Sequence, residues 1–211
     1  MARRALPSVA TALTATAALL LTGCGGGDKS SSDDIKGADS GSGNPSASAS
    51  AASGTKRPVI NLPDSFKADF AGWTNSDPDL QTALNDGKER LRASYAAIIA
   101  GDPEFSALSF YSGTSAMSTG SEWVKGYKGL TIVGEVKAYN PEISYIGDTK
   151  KRALLVYCVD EGKGYSKDLK SGKKSGTPKG ESPLVQYRTS LGKQADGVWR
   201  TMTVETRPGD C

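Results

Sequence analysis

Residues 77–101 read DPDLQTALNDGKERLRASYAAIIAG, residues 152–160 read RALLVYCVD, and the contrast between the two stretches decides the fold class. In the first, Leu80, Leu84, Gly87, Leu91, Tyr95 and Ile98 recur at spacings of four, three, four, four and three. That repeat is one face of an α-helix. Lys88, Glu89, Arg90 and Arg92 lie mostly off the stripe. Asp77 is placed to cap the helix, Pro78 suits its first position, and Asp79 suits the positive end of its dipole. Gly101 ends it and Pro103 prevents its continuation. The second stretch is almost continuously apolar and bounded by charges, which predicts a strand covered on both faces.

Working outward, Phe66, Phe70 and Trp73 are spaced four and three apart and predict a short helix, capped by Asp64 or Ser65, that lies over the core. Phe105, Leu108 and Tyr111 predict a second short helix. Residues 112–128 are rich in Gly and Ser, with Trp123, Val124 and Tyr127 anchoring a third short helix or a turn. After Gly129 the period changes to two. Residues 130–139 form a strand with Leu130, Ile132, Val136 and Ala138 on one face, Asn140-Pro141 interrupts it, residues 143–146 continue it, and Gly147-Asp148 turns the chain. Residues 183–191 and 198–206 predict two further strands, separated by residues 192–197. Helices followed by an antiparallel meander imply an α+β domain with the helices packed on one face of a curved sheet.

This order resembles the cone-shaped NTF2-like family. The carriers are Tyr95, Ile98-Ile99 and Gly101-Asp102 at the end of the long helix, and Trp199 after a Gly turn in the late strands. Cys158-Val159-Asp160 with a terminal Cys211 resembles the exported lipoprotein versions of high-GC Gram-positive bacteria. The resemblance covers residues 77–211. It implies a fold that hosts isomerases, dehydratases, ligand binders and domains without chemistry, so the fold alone assigns no activity.

The amino terminus speaks to location. Arg3 and Arg4 precede an apolar run over residues 9–21, and Leu21-Thr22-Gly23-Cys24 looks like a bacterial lipobox. The run falls short of the ~20 apolar residues that span a bilayer and suits a cleaved signal. The expectation is a signal peptide over residues 1–23 and a lipidated, palmitate-type Cys24. The protein would then be anchored at the outer face of the cell membrane. A stop-transfer anchor and an ordinary secretory signal are the alternatives. Two or more acyl chains give stable anchoring where one is marginal. Residues 24–56 hold almost no large apolar side chain and predict a disordered tether with a reach of about 30 Å. Residues 57–211 remain as a single domain, ample for its own core.

Residues 1–23 hold two arginines and no acid, so removing them takes the formal charge from +3 to +1. A balance that close to zero does not point to nucleic acid. The partners expected are the membrane through Cys24, and an envelope protein, a wall polymer or a small apolar ligand. With Cys24 assigned to lipid, two of the three cysteines remain, Cys158 in an apolar strand and Cys211 at the terminus. An even pair in an exported domain reads as a disulfide. Two free thiols are the alternative.

The chain contains no histidine. That removes His-dependent triads, Cys–His dyads and HExxH metal sites, and no dinucleotide or phosphate-loop fingerprint is present, so neither metal nor cofactor is expected. Ser171-Gly172-Lys173-Lys174 matches S-x-x-K by chance, because the companion motifs are missing. Carboxylate chemistry stays open. Asp160 or Glu135 would act as general base if burial raised its pKa, with Tyr157, Tyr187 or Tyr145 donating to an oxyanion. Against this, Asp160 would mark a strand end and Glu135 would face water. Trp123, Tyr127, Tyr157 and Tyr187 are candidate pocket-lining residues, and core packing accounts for them equally well. Lys163, Lys167, Lys170, Lys173, Lys174 and Lys179 crowd residues 163–180, where Asp168 is the one acid before Glu181. Gly164, Gly172 and Gly176 predict a long mobile hairpin loop there rather than a helix, either a solubilising surface or a contact for anionic lipid or polymer. The leading expectation is a non-enzymatic binding or interaction module. A lyase or isomerase using a buried carboxylate and a tyrosine is the alternative.

Overall fold

The computed structural model describes residues 55–211. The expected signal, Cys24 and the tether up to residue 54 lie outside the described residues. In chain order the described residues form β1 (Phe66–Phe70), α1 (Pro78–Ala100), α2 (Ser106–Phe110), α3 (Thr114–Lys125), β2 (Leu130–Tyr145), β3 (Arg152–Asp168), β4 (Lys174–Ser175), β5 (Leu184–Lys193) and β6 (Trp199–Pro208). The strands make a sheet in the order β1-β2-β3-β5-β6, with β4 paired to the outer end of β3. All pairings are antiparallel except β1 with β2. The helices pack against this curved sheet, which is the α+β architecture expected.

Helix α1 begins where its cap dictates. The Asp77 carboxylate accepts from the Asp79 and Leu80 amides at 2.8 and 3.2 Å. The bond from Leu80, with help from Asp79, the Tyr145 hydroxyl and Lys150, holds the Asp77 pKa below the usual carboxylate range. Gly101 closes the helix at φ 66°, a left-handed turn that glycine adopts without penalty. Leu84, Leu91, Tyr95 and Ile98 are all buried. Gly87 allows the close approach to the sheet: a Cβ there would lie 2.7 Å from Leu155 Cδ2.

The segment around Phe66 is a strand, not the expected helix. Phe66, Ala68 and Phe70 alternate with Lys67 and Asp69, so the same residues fit a period of two. The open edge of β2 supplies these residues with backbone partners, and the period-two reading of the segment wins. Phe66 to Phe70 pair with Gly134 to Ala138 in register, and the Trp73 indole donates to the Ala138 carbonyl at 3.1 Å. The stretch expected around Trp123 is a helix of 12 residues, α3.

β2 is continuous across the expected interruption and β3 runs further than the sequence suggests, because β-bulges absorb the residues that read as breaks. In β2, Asn140 and Pro141 together oppose Tyr157, and Asn140 takes φ 49°. Pro141 lacks an N–H and is tolerated at that irregularity. In β3, Glu161 and Gly162 oppose Val136, and pairing resumes from Lys163↔Glu135 to Asp168↔Leu130. Residues 163–175 form the expected hairpin, with its first arm paired to β2 and β4 as strand rather than loop. Its turn is built on Asp168, whose carboxylate accepts from the Lys170 and Ser171 amides and the Ser171 hydroxyl at 3.0, 2.7 and 2.8 Å.

Two ties close the domain. Cys158 and Cys211 are joined as a disulfide with Cα atoms 5.9 Å apart. The tail reaches β3 past β5, where Gln186 donates to the Asp210 carbonyl at 3.0 Å. At the other end, the Arg57 fork donates to both oxygens of buried Asp86 at 2.6 and 2.9 Å, and the Trp199 amide donates to the same carboxylate at 2.8 Å. Asp86 thus ties the leading segment, α1 and β6 together.

Candidate functional site

The side chains with chemistry converge between α1, α3 and the inner face of the sheet. Along β3, Ala153, Leu155, Tyr157, Val159 and Glu161 share one parity and all are buried. β5 sets Tyr187 directly opposite Tyr157, and the two rings stack 5.1 Å apart at an interplanar angle of 6°. Trp73 packs edge-on against Tyr157 at 5.2 Å. From α1, Tyr95 meets Trp123 of α3 at 6.1 Å, and Trp123 meets Tyr127 at 5.7 Å. The Tyr95 ring also lies 5.1 Å from that of Phe66. Burial raises the Tyr95 pKa well above the phenol value, and Tyr187, Glu161, Tyr157 and Tyr127 add to the shift. Burial, then Tyr187, likewise pushes Tyr157 up. Both phenols stay protonated at neutral pH and present hydrogen-bond donors.

Two buried ionisable residues influence these phenols electrostatically. Glu161 is 4% exposed. Arg90 is 5% exposed, donates from Nη2 to the Ala116 carbonyl at 3.2 Å, and buries its Nε without a hydrogen-bond partner. Burial lowers its pKa, and Tyr157 and Tyr187 oppose that shift. The Tyr95 hydroxyl is also buried without a partner. Orphaned polar groups of this kind are costly and uncommon in a core. A carboxylate, a guanidinium and neutral phenols in one dry region can hold a polar ligand group or move a proton, given space for a substrate.

The expected site residues divide sharply. Trp123 and Tyr127 pack together beside Tyr95, and Tyr157 and Tyr187 stack as a second pair beside Trp73. Asp160 does not join them: it has the opposite parity to Tyr157, is half-buried, and accepts from the Gly162 amide at 2.8 Å. Glu135 is exposed on β2, on the rim of an open depression of about 630 Å³ that Ile60, Leu62, Phe66 and Ala68 also line. The Tyr145 hydroxyl is committed to the Asp77 carboxylate at 3.2 Å. Among the described residues no three acidic or cysteine side chains gather as metal ligands. Sequence reasoning missed Glu161, Tyr95 and Arg90. Counting in twos from Tyr157 reaches Glu161, so that residue was legible. The burial of Arg90 carried no local signal.

No protein-family model and no curated protein matches the chain. Among solved structures, the intermembrane-space region of the chloroplast protein ARC6 is similar over 64% of this chain and 100% of its own, at 9% identity and a TM-score of 0.43. A putative scytalone dehydratase from Novosphingobium aromaticivorans covers 61% of this chain and 87% of its own, at 13% identity and 0.41. An NTF2-like superfamily protein from Salmonella enterica serovar Typhimurium covers 61% and 92%, at 13% identity and 0.42. Likenesses of this size assign the chain to no family and no activity.

Proposed function

We propose that the chain is a lipid-anchored, extracytoplasmic binding or interaction module with an NTF2-like domain, and not an enzyme built on Asp160 or Glu135. The observation that carries this reading is the divergence of those carboxylates. One faces water and the other serves its own strand's bulge, so neither shares a face with Tyr157. The interior itself is occupied by stacked and edge-packed rings. The lipobox reading of Cys24 supplies the location.

Fatty-acid labelling in a bacterial host tests the anchor: label enters the parent chain and not Cys24→Ser. Native mass spectrometry of the exported Cys24→Ser chain tests the rest. The reading expects the bare chain mass, with in-cell crosslinks to envelope proteins. A lyase or isomerase is favoured instead by Glu161, a buried carboxylate beside buried phenols. A retained small-molecule adduct that disappears in Glu161→Gln would move the assignment there.

A further inference from the structure

We propose that the β3–β4 hairpin is a docking surface for an anionic phospholipid bilayer. The bulge at Glu161–Gly162 reverses the parity of β3, so Gly164 and Ser166 turn inward while Lys163 and Tyr165 turn out. Lys167 and Lys174 face each other as direct cross-strand partners. Like charges in that position destabilise a sheet, so the hairpin keeps them against its own interest. Among the described residues none of Lys163, Lys167, Lys170, Lys173, Lys174 and Lys179 forms an ion pair. The nearby acid, Asp168, is spent on the turn amides. The result is a lysine-rich arm with net positive charge, whose lysines form no close ion pair although Glu135 lies across from Lys163 and Asp168 keeps its charge.

An apolar tip selects a bilayer over a soluble polyanion. Leu169 is 63% exposed and Tyr165 is 38% exposed, two of the four exposed large hydrophobics among the described residues. The Leu169 amide donates to the Gly129 carbonyl at 3.0 Å, which seats the tip beside exposed Lys128. The Tyr165 ring lies over Gly134 and Gly176, where a Cβ would come within 3.2 and 3.3 Å of it. Lysines around a projecting leucine match a headgroup layer over acyl chains, since each basic residue gains from the surface potential and the leucine gains from the boundary. The proposal goes beyond the binding reading and does not need the lipid anchor.

The test uses residues 24–211 carrying Cys24→Ser, the chain left when the expected signal is removed, so that the apolar run over residues 9–21 does not itself bind vesicles. Its binding is measured to vesicles of phosphatidylglycerol mixed with phosphatidylcholine, and to phosphatidylcholine alone. The mixed vesicles are expected to bind at least about tenfold more tightly, with the difference collapsing near ~0.5 M salt. Replacing the six lysines with Gln erases the preference while the melting temperature holds. Leu169→Ala weakens vesicle binding by about threefold and leaves binding of inorganic polyphosphate unchanged. Equal binding by the parent and the lysine variant overturns the proposal. Unchanged vesicle affinity in Leu169→Ala also overturns it and reassigns the surface to a soluble polyanion. The Cys24 labelling result is independent of either outcome.

Discussion

Residues 153–161 and 163–168 belong to one strand, share β2 as a neighbour, and face opposite ways. In the first stretch the odd-numbered side chains enter the core and end on Glu161. In the second the odd-numbered Lys163 and Tyr165 leave it. A single extra residue opposite Val136 separates them. The inner half is held by packing, under α1 and beside the disulfide. The outer half is held by backbone pairing and a carboxylate-capped turn. A bulge can therefore divide one strand into a structural part and a part free to meet a partner.

That division can be broken or sharpened by substitution. The largest effect belongs to the inner half: Leu155→Ala removes a fully buried side chain beneath Gly87 and should cost about 2–5 kcal/mol. It is read as a lower urea midpoint at unchanged slope. A loss below ~1 kcal/mol would mean this half is not the core. Opening the disulfide with Cys158→Ser and Cys211→Ser should cost about 4 kcal/mol, since the bridge closes a separation of 53 residues. The same titration measures it, and the hairpin amides should keep their exchange protection.

Gly134→Ala is smaller and more local. Gly134 sits at φ +95°, and an added Cβ would collide with the Lys163 carbonyl. The cost should be about 2 kcal/mol. Faster hydrogen exchange confined to residues 163–168 is expected, and faster exchange throughout residues 153–160 would deny that the halves are separable. The smallest effect is a gain. Lys174→Gln relieves the like-charge partner of Lys167 and should stabilise by ~0.2–0.5 kcal/mol at low salt. The gain should vanish at high salt, and a loss would show that Lys174 is paired in solution.

Much of this was legible in the residues. Asp77, Pro78 and Gly101 delimit α1 by cap chemistry that acts within four positions, and its apolar stripe needs no distant partner to be recognised. The pairing of Cys158 with Cys211 followed from parity of number. Tyr157 and Tyr187 stack, and Trp123 meets Tyr127, as inward aromatic positions on neighbouring elements do. Asp160 was misplaced for a reason the sequence already held: it is three residues from Tyr157, an odd number, and a strand sends such a pair to opposite faces. Arg90 and Asp86 resisted reading. Each sits on a helix position adjoining the apolar stripe, and only the arrival of Ala116, Arg57 and the Trp199 amide makes burial tolerable there.

By itself the sequence determined the element types with internal signatures: a capped amphipathic helix, an apolar central strand, and a meander after Gly129. It also determined that histidine chemistry is excluded. Only the tertiary structure decided that residues 66–70 are a strand and that β3 runs on past a bulge to Asp168, paired with β2 and β4. Each of those outcomes depends on hydrogen-bond partners far along the chain, Gly134 to Ala138 for β1 and Val136 for the bulge. Local periodicity reports how a segment can bury its own side chains. It carries no record of which backbone edge is vacant when the segment arrives.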